Sequence, residues 1–258
     1  MSLIRLPARV LRSLMARSRD LATVLRYRRR AAVLTDRARG IAAPESLFDL
    51  VNEFDEFRPA QIRSEFSELL RRVRAHEPRA SLEIGTATGG TAFLLSRCLP
   101  REARLVTLDI ADNAARRAAA RMFSFDGRSI LPRCADSHRP ETLQMVIRDL
   151  RSDLLDFLFV DGDHTFDGVA ADFRLHVPRV RDGGLVAMHD IVPDSLARRG
   201  EAAAARTDGV PRFWVRVREC VPDAEEIVES PTQEGYGIGV LRVSAEARGR
   251  LRSEGLLE

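Results

Sequence analysis

Lysine is absent from this chain of 258 residues, and all 41 of its basic residues are arginine. This absence excludes a Walker A phosphate loop, a Schiff-base lysine and a lysine general base, because each of them needs a lysine side chain. A catalytic base in this protein is therefore a histidine, an acidic residue, a tyrosine or a cysteine.

Cysteine is scarce, and long apolar runs are missing. The three cysteines, Cys98, Cys134 and Cys220, are an odd number at wide spacings, which argues against a disulfide framework and a cysteine-rich zinc site. We therefore expect a cytoplasmic protein. No apolar run approaches the roughly 18 residues of a membrane span. Arginines recur through the first 17 residues, so we expect no signal peptide.

Charge is unevenly distributed along the chain. Residues 1–40 hold eleven arginines and two aspartates, a net charge of +9, so residues 41–258 of this +3 chain carry −6. Such a basic segment can contact nucleic acid, an anionic membrane surface or an acidic partner. Its apolar residues recur at helical spacing, with Tyr27 as its single aromatic residue. We therefore favour an amphipathic helix that packs on the body or on a second subunit.

From residue 60 onward, short β-rich runs alternate with helical stretches, a pattern typical of a parallel sheet with crossover helices. We predict a basic helical arm over 1–59, a domain over 60–243 and a tail over 244–258. Strands are predicted at 81–85, 104–110, 130–135, 156–161 and 185–190, followed by an antiparallel hairpin at 225–229 and 236–243. Helices are predicted at 61–75, 91–99, 112–122, 140–151 and 168–177, with a turn at 182–184, a mobile segment at 194–210 and a solvated helix in the tail.

A glycine-rich loop follows the first predicted strand, where residues 83–91 read EIGTATGGT. Its glycines allow a sharp turn and a close approach of a ligand, and the N-terminus of the next helix favours electron-rich groups. The G-x-x-x-G spacing differs from the G-x-G-x-x-G that suits a pyrophosphate. Asp109 ends the second strand and is placed to accept hydrogen bonds from ribose hydroxyls, with a strand-end cap as the alternative.

Acidic residues recur where the predicted strands end. Asp109, Asp136 and Asp161 follow three strands, and a fourth strand ends in His189 and Asp190. Ligands of open α/β sheets bind at the carboxyl ends of the strands, so these side chains are expected to converge on one crevice.

A group of acids and imidazoles stands out among them. Asp161, Asp163, His164, His189 and Asp190 can assemble a divalent metal site from two strand ends. Oxygen ligands favour Mg²⁺ or Ca²⁺, whereas imidazole ligands admit Mn²⁺, Fe²⁺ or Zn²⁺.

The pattern E-x-G-x-x-x-G followed by a strand-end acid resembles the S-adenosylmethionine (SAM) site of class I methyltransferases. The later segment VDGDHTFDGVAADF…RDGGLVAMHDIVP is similar to the cephalosporin-hydroxylase-like and macrocin O-methyltransferase-like subgroup. The resemblance covers residues 60–243. It implies a Rossmann-like α/β fold, with a seven-stranded, mostly parallel sheet, helices on both faces and an antiparallel last strand.

The same resemblance implies SAM as the cofactor and assigns residues to its parts. The methionine part is expected to contact Glu83, Gly85, Thr86 and Gly89. The ribose is expected to contact Asp109, and the adenine Asp136 and Ser137. Thr91 is also expected in this site.

Metal-dependent O-methyltransferases that the chain resembles, including the catechol type, place a metal-binding aspartate at the position of Asp161. They place further ligands where this chain has His189 and Asp190. In the catechol type a lysine three residues after the first ligand acts as base, and His164 stands there in this chain. We therefore predict Mg²⁺ or another divalent metal at Asp161, His189 and Asp190, with His164 or His189 as the catalytic base.

Several of these residues have plainer alternatives. Asp163 can cap the helix that follows it, and His164 can serve only to orient Asp190. We interpret His138, at the adenine edge, as structural, and His176 as a surface or helix-face residue without a role. Phe213 and Trp214 are interpreted as core anchors, with closure over a substrate as the alternative because they follow the predicted mobile segment.

These observations predict a SAM-dependent, metal-assisted O-methyltransferase that acts on a hydroxyl of a sugar or natural-product small molecule. The alternatives are an iron- or nicotinamide-dependent oxidoreductase or hydroxylase on the same fold, and a non-catalytic binding protein. We expect a homo-oligomer, formed through the arm or through helix 61–75, and no nucleic-acid partner.

Overall fold

The computed structural model of the chain describes residues 8–195 and 208–258, with side chains from residue 20 onward. Its strands are β1 Ala80–Ile84, β2 Arg104–Asp109, β3 Ser129–Cys134, β4 Leu155–Val160, β5 Val180–His189, β6 Glu225–Ile227 and β7 Ile238–Arg242. They form one sheet in the order β3-β2-β1-β4-β5-β7-β6. Strands β1 to β5 pair in parallel, and β7 runs antiparallel to both β5 and β6. The predicted Rossmann-like sheet, with its antiparallel last strand and terminal hairpin, is confirmed.

Helices lie on both faces of this sheet. They are α1 Ala8–Arg37, α2 Pro44–Asn52, α3 Arg63–His76, α4 Gly90–Cys98, α5 Ala114–Arg121, α6 Pro140–Leu150, α7 Phe166–His176, α8 Gly209–Cys220 and α9 Ala245–Ser253, with 3₁₀ turns at Asp55–Phe57 and Val177–Arg179. Local signals set several ends: Asn113, Thr165 and Ser244 each accept a hydrogen bond from the backbone N–H three residues on. Within the described residues, no helix combines the length and apolarity that a membrane span requires.

Strand β4 shows why the sheet is buried on both faces. Phe157 and Phe159 point into a core layer shared with α2 to α5, whereas Leu158 and Val160 point into the opposite layer, shared with α6 to α9. Because side chains alternate along a strand, an apolar run without polar interruption identifies a strand that is covered twice. The prediction of β4 as a central strand is therefore confirmed.

The N-terminal segment contributes to the same core. In α1, Ala31 and Leu34 are buried against α5, and Phe54 and Phe57 of the following segment are buried in the layer shared with α3 and α4. Farther towards the N-terminus, Leu21 is exposed. The division into an arm, a domain and a tail stays a prediction.

Two details differ from the expectations. Residues 182–184 form no separate turn, because they lie inside β5, where the register with β4 shifts between Leu155 and Phe157. The C-terminal helix forms as predicted, but it is not solvated all round, since Leu251 and Leu256 are completely buried. The mobile segment predicted at 194–210 lies largely outside the described residues.

The aromatic pair of α8 belongs to the core. Phe213 contacts Phe166 and Phe173 edge to face, and both Phe213 and Trp214 are essentially buried. The Trp214 indole donates a hydrogen bond of 2.8 Å to Glu226. The interpretation of this pair as core anchors is confirmed.

Candidate functional site

The glycine-rich loop leaves β1 at the carboxyl end of the sheet. The N–H groups of Gly85 and Thr86 donate to the carbonyl of Leu108 at 2.9 and 3.0 Å, which binds the loop to β2. Gly85 has φ +94°, and Gly89, at the start of α4, has φ +86°. Both values lie in the left-handed region, where glycine carries no steric penalty. The loop geometry therefore depends on glycine at these two positions.

Asp109 holds this loop in place from the end of β2. Its Oδ2 accepts from the N–H of Ala87 at 2.8 Å, and its Oδ1 accepts from the N–H of Ala111 at 2.8 Å. Each carboxylate oxygen has further lone pairs for a second donor. Asp109 thus fixes the loop and can still accept hydrogen bonds from the hydroxyls of a ligand.

A cavity of about 600 Å³ opens at this end of the sheet, beside the loop. The predicted site residues that line it are Gly85, Thr86, Thr91, Asp109, Asp136, Ser137, Asp161 and His164, together with Asp163. In the described part of the chain, Glu83, Gly89, His189 and Asp190 do not border it. The structure thus brings six of the eight predicted cofactor residues and three of the five members of the acid–imidazole group to one cavity.

Glu83 lies beneath this cavity and is completely buried. Burial raises the pKa of its carboxyl to about 8, and the nearby Thr91 hydroxyl opposes this shift only in part. The Thr91 hydroxyl does not complete a hydrogen bond with Glu83, and neither carboxylate oxygen of Glu83 has a hydrogen-bond partner among the described residues. With a pKa of about 8, this carboxyl is mostly neutral at pH 7.

The loop after β3 forms the opposite wall. Asp136 accepts from the backbone N–H of His138 at 3.0 Å and from Arg139 at 3.1 Å. The backbone hydrogen bond is the main reason that the pKa of Asp136 lies below its usual value. This carboxylate therefore stays ionised at the cavity rim.

The acid–imidazole group is assembled from the ends of β4 and β5. His164 lies between two carboxylates, with Nε2 3.4 Å from Asp161 Oδ1 and Nδ1 3.3 Å from Asp190 Oδ2. His189 Nδ1 lies 3.2 Å from Asp161 Oδ1 and 3.3 Å from Asp190 Oδ1. The predicted convergence of these four side chains is therefore present in the structure.

Their protonation is set by these contacts. The hydrogen bond with Asp161 is the main cause of a raised pKa of His164. Burial alone would lower the pKa of His189, but the hydrogen bond and charge of Asp161 outweigh it, and the pKa is raised. For Asp161, burial is outweighed by His164 and His189, and the pKa lies below its usual value. These contacts therefore favour the ionised form of Asp161 and the protonated form of the two imidazoles.

The donor set also fits a divalent cation. Asp161, His164 and Asp190 each offer one ligand atom, and these atoms lie within 4.8 Å of one another. Two carboxylates and one imidazole suit Mg²⁺, Mn²⁺ or a similar ion. His164 belongs to this candidate set, whereas His189, which we predicted as a ligand, does not; His189 is almost fully buried, and its Nδ1 faces the two carboxylates. The choice between the two imidazoles stays a prediction.

The comparisons with known proteins bear on this arrangement. The O-methyltransferase from Bacillus cereus, solved with SAH, is 19% identical over 85% of this chain and 100% of that chain, with a TM-score of 0.57. TomG from Streptomyces achromogenes, an O-methyltransferase solved with SAM, is 21% identical over 80% of this chain and 91% of that chain, with a TM-score of 0.58. At these identities the likeness concerns the fold. No curated protein matches this sequence significantly.

A family model decides the class. Residues 82–191, which include the β1 loop, Asp109 and the whole acid–imidazole group, match the model described as a methyltransferase domain. The chain carries a methyltransferase domain. The predicted resemblance to class I methyltransferases is confirmed, and so is the predicted enzyme class.

Gln61 belongs to this site but was not predicted as a site residue from the sequence. Gln61 lines the cavity, and its Nε2 donates to Asp161 Oδ2 at 2.7 Å across 100 positions of sequence. Its segment also touches the glycine-rich loop: the Thr88 hydroxyl donates to the carbonyl of Arg58, and a Cβ at Gly90 would overlap the carbonyl of Phe57. A polar residue two positions after a proline carries no local signal for such a contact.

Asp163, which we considered as a possible cap of the helix after β4, is not the N-cap of that helix. Thr165 is the N-cap of α7 and accepts from the N–H of Gly168 at 3.0 Å. Asp163 accepts from the N–H of Thr165 at 2.9 Å and lies against Gly168, so it supports the start of α7 while bordering the cavity.

Proposed function

We propose that this methyltransferase transfers the methyl group of SAM to a hydroxyl of a small molecule. The observation that carries the proposal is a single cavity that joins the glycine-rich loop and Asp109 to the Asp161–His164 pair. One end of this cavity suits a nucleoside with hydroxyl groups, and the other end holds groups that accept a proton. SAM supplies a methyl group that is already activated by its sulfonium centre.

The residues of the chain have separate tasks in this proposal. The glycine-rich loop and Asp109 bind the cofactor, because the loop leaves room for it and Asp109 accepts hydrogen bonds from ribose hydroxyls. Asp161 orients the His164 ring. His164, in its neutral form, takes the proton of the acceptor hydroxyl at one ring nitrogen. Alignment of the acceptor oxygen with the methyl group then supplies much of the rate.

We further propose that a divalent metal, Mg²⁺ in the first instance, assists the reaction. Asp161, Asp190 and one imidazole would hold it, since their ligand atoms lie close enough together. A bound cation would lower the pKa of the acceptor hydroxyl. When His164 is a ligand, His189 is the alternative base; because its ring is buried, the proton would reach it through Asp161 or Asp190, which its Nδ1 faces.

The acceptor is proposed to be a hydroxylated sugar or natural product. TomG, which shares the fold, is described as an O-methyltransferase of tomaymycin synthesis, and this supports the acceptor class. The oxidoreductase alternative finds less support. The loop lacks the G-x-G-x-x-G spacing of dinucleotide sites, and the ligand set among the described residues contains one imidazole instead of two.

We also propose a cytoplasmic homo-oligomer. Leu21 and Leu25 lie on one face of α1 and are 60% and 54% exposed, which favours a partner for this helix. The net charge of +9 in residues 1–40 complements the −6 of the remaining chain, so a second copy is the favoured partner. Light scattering of the wild type and of a Leu21→Glu/Leu25→Glu variant tests this, and a monomeric wild type would contradict it.

The decisive experiment is a calorimetric titration with S-adenosylhomocysteine, with and without Mg²⁺. We expect micromolar binding to the wild type and a roughly tenfold to hundredfold loss in Asp109→Ala, since hydrogen bonds to a charged group are lost. Asp112→Asn is the matched control, because Asp112 is an exposed acid next to this site that pairs with Arg117. A wild type that does not bind the ligand would remove the proposal and bring forward the oxidoreductase and binding-protein alternatives.

A further inference from the structure

Asp172 of α7 is a completely buried carboxylate that the proposed reaction does not use. Neither of its oxygens completes a hydrogen bond with any described residue. Burying a carboxylate without full compensation is unfavourable, and an apolar or amide side chain of similar size is commonly tolerated better. A role outside folding stability explains why such a group stands here.

The groups that face Asp172 come from the cofactor side of the cavity. The His138 ring approaches with Nε2 at 3.6 Å from Asp172 Oδ1. On the other side, a Cβ atom built at Gly162, in the turn after β4, would lie 3.7 Å from Asp172 Oδ2. Asp172 thus stands between the loop after β3 and the turn after β4, and both border the cavity.

His138 connects this buried carboxylate to the cavity rim. Its side chain is 31% exposed, and its Nδ1 lies 3.7 Å from Asp136 Oδ1 while its Nε2 faces Asp172. His176, one turn after Asp172 on the same helix face, binds the carbonyl of Ser137 through Nε2 at 2.9 Å. Two side chains one turn apart on α7 therefore contact the 136–138 loop. His176 binds the loop backbone at Ser137, and Asp172 faces the His138 ring.

We propose that Asp172 is a positioning residue for the cofactor site, whose carboxylate orients the His138 ring from 3.6 Å and thereby fixes the 136–138 loop. The inference rests on the proposed function in taking that loop as the cofactor wall. Asp172 touches no cofactor itself. It acts through His138, and Asp136 and Ser137 take up their positions at the cavity wall as a result.

The test compares binding with folding. We expect Asp172→Asn to raise the unfolding temperature at pH 8, because a buried charge is removed, and to weaken S-adenosylhomocysteine binding by roughly fivefold or more. A residue with a purely structural role would move stability and binding in the same direction. Asp167→Asn, an exposed acid in the first turn of α7, is the matched control and should change neither quantity.

Two further measurements locate the effect. 5′-Deoxy-5′-methylthioadenosine lacks the amino-acid part, so Asp172→Asn should weaken its binding by the same factor. In a double-mutant cycle, Asp172→Asn should add little to the loss caused by His138→Ala, because one residue acts through the other. Unchanged binding in Asp172→Asn, a loss confined to S-adenosylhomocysteine, or losses that multiply would each overturn the inference. A wild type that binds neither ligand would instead refute the proposed function, on which the inference rests.

Discussion

Gly85 and Asp161 approach so closely that a Cβ atom at position 85 would overlap the Asp161 carbonyl oxygen. The two residues end neighbouring parallel strands, and the N–H of Asp161 donates to the carbonyl of Ile84 at 2.8 Å. The backbone contact therefore joins the cofactor loop directly to the first residue of the acid–imidazole group. Any side chain at position 85 has to separate the two.

We expect Gly85→Ala to abolish S-adenosylhomocysteine binding and to lower the free energy of unfolding by at least about 2 kcal/mol. The substitution combines a backbone overlap with a left-handed φ of +94°. Urea denaturation and calorimetry measure both effects. Gly249→Ala is the control, because Gly249 lies in α9 with open space around it and should gain roughly 0.5–1 kcal/mol. A Gly85→Ala variant as stable as the wild type would contradict the close contact between the ends of β1 and β4.

A second prediction separates the two aspartates of the Asp-Gly-Asp sequence. Asp161→Asn should lose divalent-metal affinity and methyl transfer, because Asp161 contacts both imidazoles and offers one of the three ligand atoms. Asp163→Asn should keep both, since an amide oxygen can still accept from the N–H of Thr165. Titration with Mn²⁺ followed by electron paramagnetic resonance measures the affinity without turnover. Equal Mn²⁺ affinity in the two variants would exclude Asp161 as a ligand.

Sequence patterns were sufficient for the sheet because its signals are local. The apolar run of β4, the acids at strand ends and the glycines after β1 each reflect a constraint within a few residues. Residues 182–184 show the limit of such signals. A glycine pair predicts a turn, but Gly183 donates to Val243 and Gly184 accepts from it, so the segment continues the strand as an irregularity.

The site was predictable where its residues end strands and unpredictable where they come from elsewhere. Asp161 and Asp190 follow strands, so their convergence follows from the parallel topology. Gln61 and Asp172 lie at a helix entrance and on a helix face, and their partners are distant in the chain. Which imidazole can join Asp161 and Asp190 as a ligand depends on side-chain direction, which strand order does not determine.

Acid should act on the buried residues of α7 in opposite directions. Burial lowers the pKa of His176 to about 4 from its usual 6.5, so the unfolded chain binds a proton first as the pH falls and stability is lost. Burial raises the pKa of Asp172 to about 6 from 3.8, so the native protein binds a proton first and stability is gained. Between pH 7 and pH 5 the gain from Asp172 offsets part of the larger loss from His176.

Single substitutions should expose each effect. The measured quantity is the decrease in the free energy of unfolding when the pH is lowered from 7 to 5. We expect this decrease to be smaller by about 2 kcal/mol in His176→Gln and larger by about 1 kcal/mol in Asp172→Asn than in the wild type. Urea denaturation at the two pH values measures both. Parallel pH dependences in the wild type and the two variants would mean that neither group has a shifted pKa in the native protein.

Glu65 of α3 should control the loop between β6 and β7. Its buried carboxylate accepts from the N–H of Glu229 at 3.1 Å, from the N–H of Gly237 at 3.0 Å and from Gln233 Nε2 at 2.7 Å. We expect Glu65→Ala to lower the free energy of unfolding by about 3 kcal/mol, because the buried donors lose a charged acceptor. Hydrogen exchange at the amide of residue 237 should accelerate in parallel.

The control for Glu65 lies on the same helix. Glu68 is partly exposed and pairs with Arg71 and Arg72, and such surface ion pairs contribute roughly 0–1 kcal/mol. Glu68→Ala should therefore leave both stability and exchange at residue 237 close to the wild-type values.

The loop between β6 and β7 also carries Tyr236, whose ring meets the His189 ring edge to face at 6.1 Å. Loosening it in Glu65→Ala should lower methyl transfer more than S-adenosylhomocysteine binding, because the loop adjoins the acid–imidazole group and does not line the cofactor cavity. Equal losses of both would place the effect in the fold as a whole.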